Sequence, residues 1–459
     1  MTSEARYHSA IGALEAAAKF GIHPALDTIA CLMRELGDPH QALSCVQVAG
    51  TNGKGSTSRV LEALLREAGV RSGAFLSPHL HDYTEQVLIG GQPIEREALA
   101  IAIEQAFEVG RACVTAGGPA ATQFELLTAA AIQAMHTAQV EWAVLEVGMG
   151  GRWDSTSVTT PLVSVVTSVG LDHIEHLGPT LQDIALDKSY VIKAGARACV
   201  LGPQTADVDG VFAERARAQG VPVVRVRAAT PSTRVQMSAP HGPDPLGASG
   251  LVEYEVGYVA GRPLPATRIS VLTERACYRN LLIAGPRYQA PNVACAIAAA
   301  EAALDSALDE PSVVRALAGV RNPGRFEIVA RDPIVIVDGA HNPHGAHALV
   351  TAIEEYVGEP VTFVLGVLAD KAADLMFAEL ARIAADFVVT QPGGDRARPA
   401  SELATLVEHR GGVVTAVAPD VARALAIARE QGRPVVVTGS LRTVAEAREA
   451  LGLAEPHQH

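Results

Sequence analysis

The stretch Val46-Gln47-Val48-Ala49-Gly50-Thr51-Asn52-Gly53-Lys54-Gly55-Ser56-Thr57 restricts the fold of this chain more than any other. An apolar run passes into glycines and a lysine, and a helical pattern (Val60, Leu61, Leu64, Leu65) follows. That order is strand, loop, helix. Glycines let successive backbone N–H groups turn inward around an anion, and the helix N-terminus adds its dipole. Lys54 is placed to reach the β- and γ-phosphates of a nucleotide, and Ser56 or Thr57 to offer a hydroxyl to Mg²⁺. Thr51, Asn52, Gly53 and Gly55 complete the expected phosphate cradle. The spelling departs from the common phosphate loop: Val48 stands five residues before Gly53, where a glycine is usual, and Gly55 separates Lys54 from Ser56. The competing reading is a tight strand–helix turn without a ligand.

A chain of 459 residues suits two or three domains. Its hydrophobic fraction of 48% supplies sizeable cores, and a net charge of −13 argues against a nucleic-acid partner. Glu4, Arg6, Glu15 and Lys19 interrupt the first twenty residues, so no apolar signal core is expected there. No long charge-free apolar run suggests a membrane span. Cys31, Cys45, Cys113, Cys199, Cys277 and Cys295 lie far apart and show no metal-type spacing, so they read as reduced, mostly buried thiols. A cytoplasmic monomer acting on small molecules is the expectation.

Residues 1–45 read as helical, with breaks near Gly21 and Gly37. Apolar strands at 72–77, 142–147 and 162–169 alternate with helical stretches, which predicts a parallel sheet covered on both faces. Strands at 251–258, 268–272 and 278–283 predict a small antiparallel patch, preceded by a poorly ordered Pro/Gly-rich loop at 239–250. Beyond Gly319-Val320-Arg321-Asn322-Pro323-Gly324-Arg325 a second rhythm of strands and helices begins. The expected architecture is α/β: an N-terminal P-loop ATPase-like doubly wound domain (1–320), a linker (321–325) and a C-terminal Rossmann-like α/β domain (326–459).

Six positions stand out chemically. Glu146 ends an apolar strand, either satisfied by backbone or Arg152, or serving as a Mg²⁺ ligand. His173 follows another strand through Asp172 and reads equally as a cap or as a catalytic or metal residue. Thr180-Leu181-Gln182-Asp183 is a capping box, with the helix expected to run to Lys193. Leu181, Ile184, Lys188 and Val191 share one face of it, so Lys188 points inward. It could snorkel, pair with an acid, or be carbamylated by CO₂ into a metal-binding carboxylate. In the second domain Asp338 and His341 sit where a strand ends, and Arg325 lies on the linker; together they suggest one ATP held between two domains.

These stretches, with Ser77-Pro78-His79-Leu80, Gly148-Met149-Gly150-Gly151-Arg152 and Tyr288-Gln289-Ala290-Pro291-Asn292, resemble the serial motifs of the folylpolyglutamate/dihydrofolate synthase family of the Mur ligase superfamily. The resemblance covers roughly residues 45 to 440. It implies an ATP-dependent amide ligase that activates a carboxylate as an acyl phosphate and couples it to an amino acid, most simply L-glutamate onto dihydropteroate or a folate. It further implies that Ser56, Glu146 and His173 bind Mg²⁺, with two ions expected, and that Lys188 is carbamylated. Asn292, Arg325, Asp338 and His341 would hold the nucleotide, with Gly439-Ser440-Leu441 near the amino acid.

Three departures from the family pattern are visible. Gln86 stands for an arginine, Trp153 for a leucine, and Ser189-Tyr190-Val191 for Ala-Gly-Ile. A related amide ligase acting on a non-folate acid is therefore the alternative. From other classes, a P-loop kinase or motor-type ATPase lacks a recognisable Walker-B and arginine-finger arrangement here. A pure scaffold does not need Lys54, Glu146, His173 and Lys188 together.

Overall fold

A computed structural model describes residues 2–21, 24–238, 250–258 and 266–453. The chain builds two sheets. The first has eleven strands: β1 Ser44–Ala49, β2 Ser72–Phe75, β3 Val87–Ile89, β4 Gln92–Pro93, β5 Trp142–Glu146, β6 Val163–Val166, β7 Ala198–Leu201, β8 Val223–Ala228, β9 Leu251–Tyr258, β10 Ala266–Leu272 and β11 Cys277–Ala284. Their order is β11-β10-β9-β8-β7-β6-β1-β5-β2-β3-β4. The strands from β9 through β2 run parallel, and short antiparallel pairings close both edges.

Burial on both faces explains the near-continuous apolar spelling of the central strands. Val46, Val48 and Val144 face the helices Lys54–Glu67 and Ala290–Leu304, while Cys45, Ala143 and Leu145 face the opposite layer. Polar Gln47 is tolerated because its amide donates to Thr156 and Ser157 at 2.8 and 2.9 Å. The alternating strands at 251–284 form the expected antiparallel patch, with β10 paired antiparallel to both β9 and β11, and it is continuous with the main sheet. β9 pairs parallel to β8 and extends the main sheet. The loop expected to be poorly ordered lies, for 239–249, outside the described residues.

The second sheet has six strands: β12 Glu327–Arg331, β13 Ile334–Val337, β14 Val361–Leu365, β15 Ala384–Thr390, β16 Val414–Ala418 and β17 Val435–Thr438, in the order β12-β13-β17-β14-β15-β16. All neighbours are parallel except β12 and β13. Helices cover both faces, with Ile336, Phe363 and Val436 in one core and Val335, Val364 and Val437 in the other.

Two local expectations need correction. Cys31 and Cys113 are joined by a disulfide, not reduced; Cys45, Cys199, Cys277 and Cys295 are free. The bonded pair is 82 residues apart in sequence, and only the packing of helix Asp27–Glu35 on helix Arg96–Thr115 brings it together. The helix begun by the Thr180–Asp183 capping box ends at Lys188, followed by one 3₁₀ turn over Ser189–Val191. The Ser189 hydroxyl donates back to Leu186 O at 2.7 Å, and Lys193 leaves the helix direction to bond the carbonyls of Ser157 and Thr159. Among the described residues, no helix is long and apolar enough to cross a membrane.

Candidate active site

Polar residues collect where parallel strands end, because there the helices turn back and leave backbone N–H groups open. β1 lies between β5 and β6, so the phosphate loop after Ala49, Glu146 at the end of β5, and Thr167–His173 after β6 converge. From the other sheet, the turns after β13, β14 and β17 bring Asp338–His344, Leu368–Lys371 and Ser440–Arg442 to the same space. The result is one cavity of about 750 Å³ between the two sheets. It is lined by Thr51, Asn52, Gly53, Lys54, Gly55, Ser56, Glu146, His173, Lys188, Asn292, Arg325, Asp338 and His341, every expected site residue except Thr57. Thr57 is fully buried and its hydroxyl has no partner among the described residues.

Gly53 adopts φ 86°, and a Cβ there would strike the Asn292 side chain, so the loop can take this path only with glycine. The Lys54 ammonium folds back on the loop, donating to Gly50 O at 3.2 Å and Thr51 O at 3.3 Å. Burial lowers its pKa, opposed by the Glu146 and Asp172 charges. Glu146 is buried, and a Cβ on Gly55 would lie 3.3 Å from its Oε2. Its carboxylate accepts from the Ser77 backbone N–H at 3.1 Å. Arg152, one candidate partner, instead holds its guanidinium over Trp153 and Tyr190 at 4.7 and 4.8 Å from the ring centroids. Burial pushes the Glu146 carboxyl up, and Lys54 pulls it back most strongly.

Lys188 is buried and points inward, its ammonium donating to Gly50 O at 2.8 Å. Burial, then the Lys54 charge, pushes its pKa down to about 7. His173 falls to about 4, by burial first and then by nearby lysines acting against Asp172. Its imidazole is therefore neutral at pH 7, as a metal ligand requires. Among the described residues no cluster of three or more His, Cys, Asp or Glu side chains could hold a metal ion. A cation here would rest on Glu146, His173, the Ser56 hydroxyl and whatever Lys188 contributes.

The two halves meet through Asp172. Its carboxylate receives Lys371 Nζ at 2.7 Å and Asn342 Nδ2 at 3.3 Å, and lies 3.4 Å from His341 Nε2. Burial alone would raise its pKa, but these donors hold it well below the ordinary range. Asn52 and Asn342 exchange amide hydrogen bonds of 3.2 and 3.0 Å, tying the phosphate loop to the turn after β13. Asp338 is turned toward protein: it accepts from Tyr288 OH, Phe326 N and Ala340 N at 2.9, 2.8 and 2.8 Å.

Lys371, Asn342 and Tyr288 were not singled out by side-chain chemistry in the sequence. Lys371 had one signal, an Asp-Lys pair six residues beyond the end of a buried strand. Both members of the Lys371–Asp172 pair are largely buried, so Lys371→Met is expected to cost about 1–3 kcal/mol, Asp172 keeping its other donors. Thermal unfolding would show it as a lower transition temperature, and an unchanged transition would mean the pair holds no closing energy.

The Mur ligase middle domain model matches residues 48–239, and the Mur ligase glutamate ligase domain model residues 324–441. The chain is 32% identical to the dihydrofolate synthase/folylpolyglutamate synthase of Mycobacterium tuberculosis, over 94% of this chain and 91% of that one. The chain belongs to the folylpolyglutamate/dihydrofolate synthase family. It is also 37% identical to a probable bifunctional folylpolyglutamate synthase/dihydropteroate synthase of Halobacterium salinarum, over 96% of this chain but only about half, 51%, of that longer protein. Among solved structures, M. tuberculosis folylpolyglutamate synthase complexed with ADP and AMPPCP superposes with a TM-score of 0.87 at 28% identity, covering 98% and 99% of the two chains. E. coli FolC in complex with DHPP and ADP gives 0.82 at 29% identity, covering 97% of each. The Yersinia pestis bifunctional enzyme complexed with AMPPNP and Mn ion gives 0.80 at 29%, covering 97% and 98%.

Proposed function

We propose that this family member is an ATP-dependent amide ligase that joins L-glutamate to dihydropteroate or a folate. The observation that carries the reading is the single cavity in which the phosphate loop, Glu146, His173 and Lys188 face Arg325, Asp338 and His341 from the other sheet. The ADP, AMPPCP, AMPPNP and DHPP held by the three superposed relatives support it.

In this reading the acid's carboxylate oxygen attacks the γ-phosphorus of ATP, giving an acyl phosphate and ADP. The glutamate amine then attacks the acyl carbon, phosphate leaves, and the amine proton passes to solvent or a nearby base. Lys54 and the loop N–H groups neutralise charge on the transferring phosphoryl group, with Thr51, Asn52, Gly53, Gly55 and Thr57 shaping the loop. Asn292, Arg325, Asp338 and His341 position the nucleotide. Ser56, Glu146, His173 and a carbamylated Lys188 would hold divalent metal, which would supply positive charge at the phosphates. The carbamate would add a second acid to that set, in which Glu146 is otherwise the one carboxylate. The contacts at Asp172 keep water from the acyl phosphate.

The division is taken as 1–320, 321–325 and 326–459, and the site as complete within one chain, so a monomer suffices. The test is ADP release that saturates with both glutamate and either dihydropteroate or a reduced folate. Gln86, Trp153 and Tyr190 favour one competing reading, a non-folate acid. ADP release with such an acid, and none with either pteridine, would replace the folate assignment and keep the ligase one.

A further inference from the structure

One wall of the cavity holds a histidine that the proposed chemistry leaves unused. His79 lies in the segment after β2 and lines the cavity beside Pro78 and Leu80. That segment meets the second sheet's layer: a Cβ on Gly324 would lie 2.9 Å from Val444 and 3.6 Å from Leu80. The wall is therefore shared with the turn Ser440-Leu441-Arg442, which lines the same space.

Two neighbours fix the ring. It packs on Tyr83 with centroids 4.1 Å apart and planes tilted 44°. The Gln86 Nε2 amide donates to its Nδ1 at 2.6 Å. Gln86 is itself buried at 4% exposure, so that amide has little freedom to swing away. A donor aimed at Nδ1 leaves the ring proton on Nε2. The ring's hydrogen bond among the described residues is the one on Nδ1, which leaves Nε2 without a partner there. Burial and the Arg442 charge hold the ring neutral, against Glu85 and Asp82. The wall thus presents one oriented, uncharged N–H donor without an acceptor. That donor belongs to a residue lining the cavity, where the acceptor oxygen of a bound ligand can reach it.

Resting on the ligase reading above, we propose that His79 is a specificity-determining residue whose Nε2–H binds a substrate carboxylate oxygen, and that Gln86 is its positioning residue. Gln86 stands where the family pattern has arginine. It therefore orients the ring without adding a second positive charge to the one that Arg442 brings to this wall. Two substrates carry carboxylates, the amino acid and the acid it is joined to, and the kinetic arms separate them.

His79→Phe keeps the ring on Tyr83 and deletes the donor. With saturating acid and varied glutamate, and then the reverse, it should raise one KM about ten- to a hundredfold, the range for a lost hydrogen bond to a charged group, with kcat within about threefold. Which KM rises identifies the carboxylate. Gln86→Leu should raise the same KM less, and ¹⁵N-histidine spectra should show His79 losing its single tautomer, which a merely structural role for Gln86 would not produce. A His79→Phe protein with native melting behaviour and both KM values within twofold of wild type overturns the proposal. So does an unchanged tautomer in Gln86→Leu. If wild type turns over no folate at all, the folate assignment fails separately. Titrating glutamate and pteroate into ¹⁵N-histidine-labelled protein then decides alone: a shift of the His79 Nε2 signal supports the donor assignment, and its absence with both anions overturns it.

Discussion

Lys54→Ala is expected to fold normally and to lose roughly a hundredfold or more in ADP release, about 3 kcal/mol of transition-state stabilisation. The fold should survive because, among the described residues, the ammonium bonds only to the Gly50 and Thr51 carbonyls of its own loop and adds nothing to an apolar core. The rate should not survive, because the γ-phosphoryl group spreads negative charge over its oxygens as it transfers, and a fixed cation at hydrogen-bond range meets that charge without reorganising. Lys54 needs only to release those carbonyls and extend. Steady-state ADP release, beside a circular dichroism melt, separates the two effects. A folded Lys54→Ala protein with near-normal turnover would remove the phosphate-binding assignment.

Lys188→Ala should be nearly inactive and partly restored by a small carboxylate such as acetate. Lys188 is buried beside Lys54, and its amine is brought down to about 7 by burial and then by that neighbouring charge. Near neutral pH a large share of it is therefore the unprotonated amine, the form that attacks CO₂. The N–C bond would form, one amine proton would leave, and a buried amine would become a carboxylate in the cavity that Glu146 and His173 also line. Alanine removes that group and leaves space for acetate, whereas Lys188→Arg should not be rescued because its cation still fills the space. The sign in pH follows: lowering pH below about 7 protonates the amine, so carbamate and activity should fall together unless CO₂ is raised. Mass analysis of fully active enzyme showing only the free amine would refute the carbamate.

The phosphate loop, the acidic strand end at Glu146 and the inward face of Lys188 were legible in the sequence because each is local. A strand, a glycine turn and a helical face are set by residues within one or two turns of each other, where sterics and periodicity act directly. The two α/β halves were legible for the same reason: strands buried on both faces need runs such as Trp142–Val147 and Val435–Thr438. What tertiary structure alone decided is which distant groups meet. Asp172 finds Lys371 199 residues later, Cys31 finds Cys113, and Arg152 leaves Glu146 for the rings of Trp153 and Tyr190. The antiparallel strands join the main sheet through β8 and β9, a pairing that no periodicity specifies. Asp338, expected to hold the nucleotide, also bonds Tyr288 from another part of the chain and two backbone amides. Side-chain type states what a residue can bond. Only the path of the backbone, paid for by core burial elsewhere, states what it does bond.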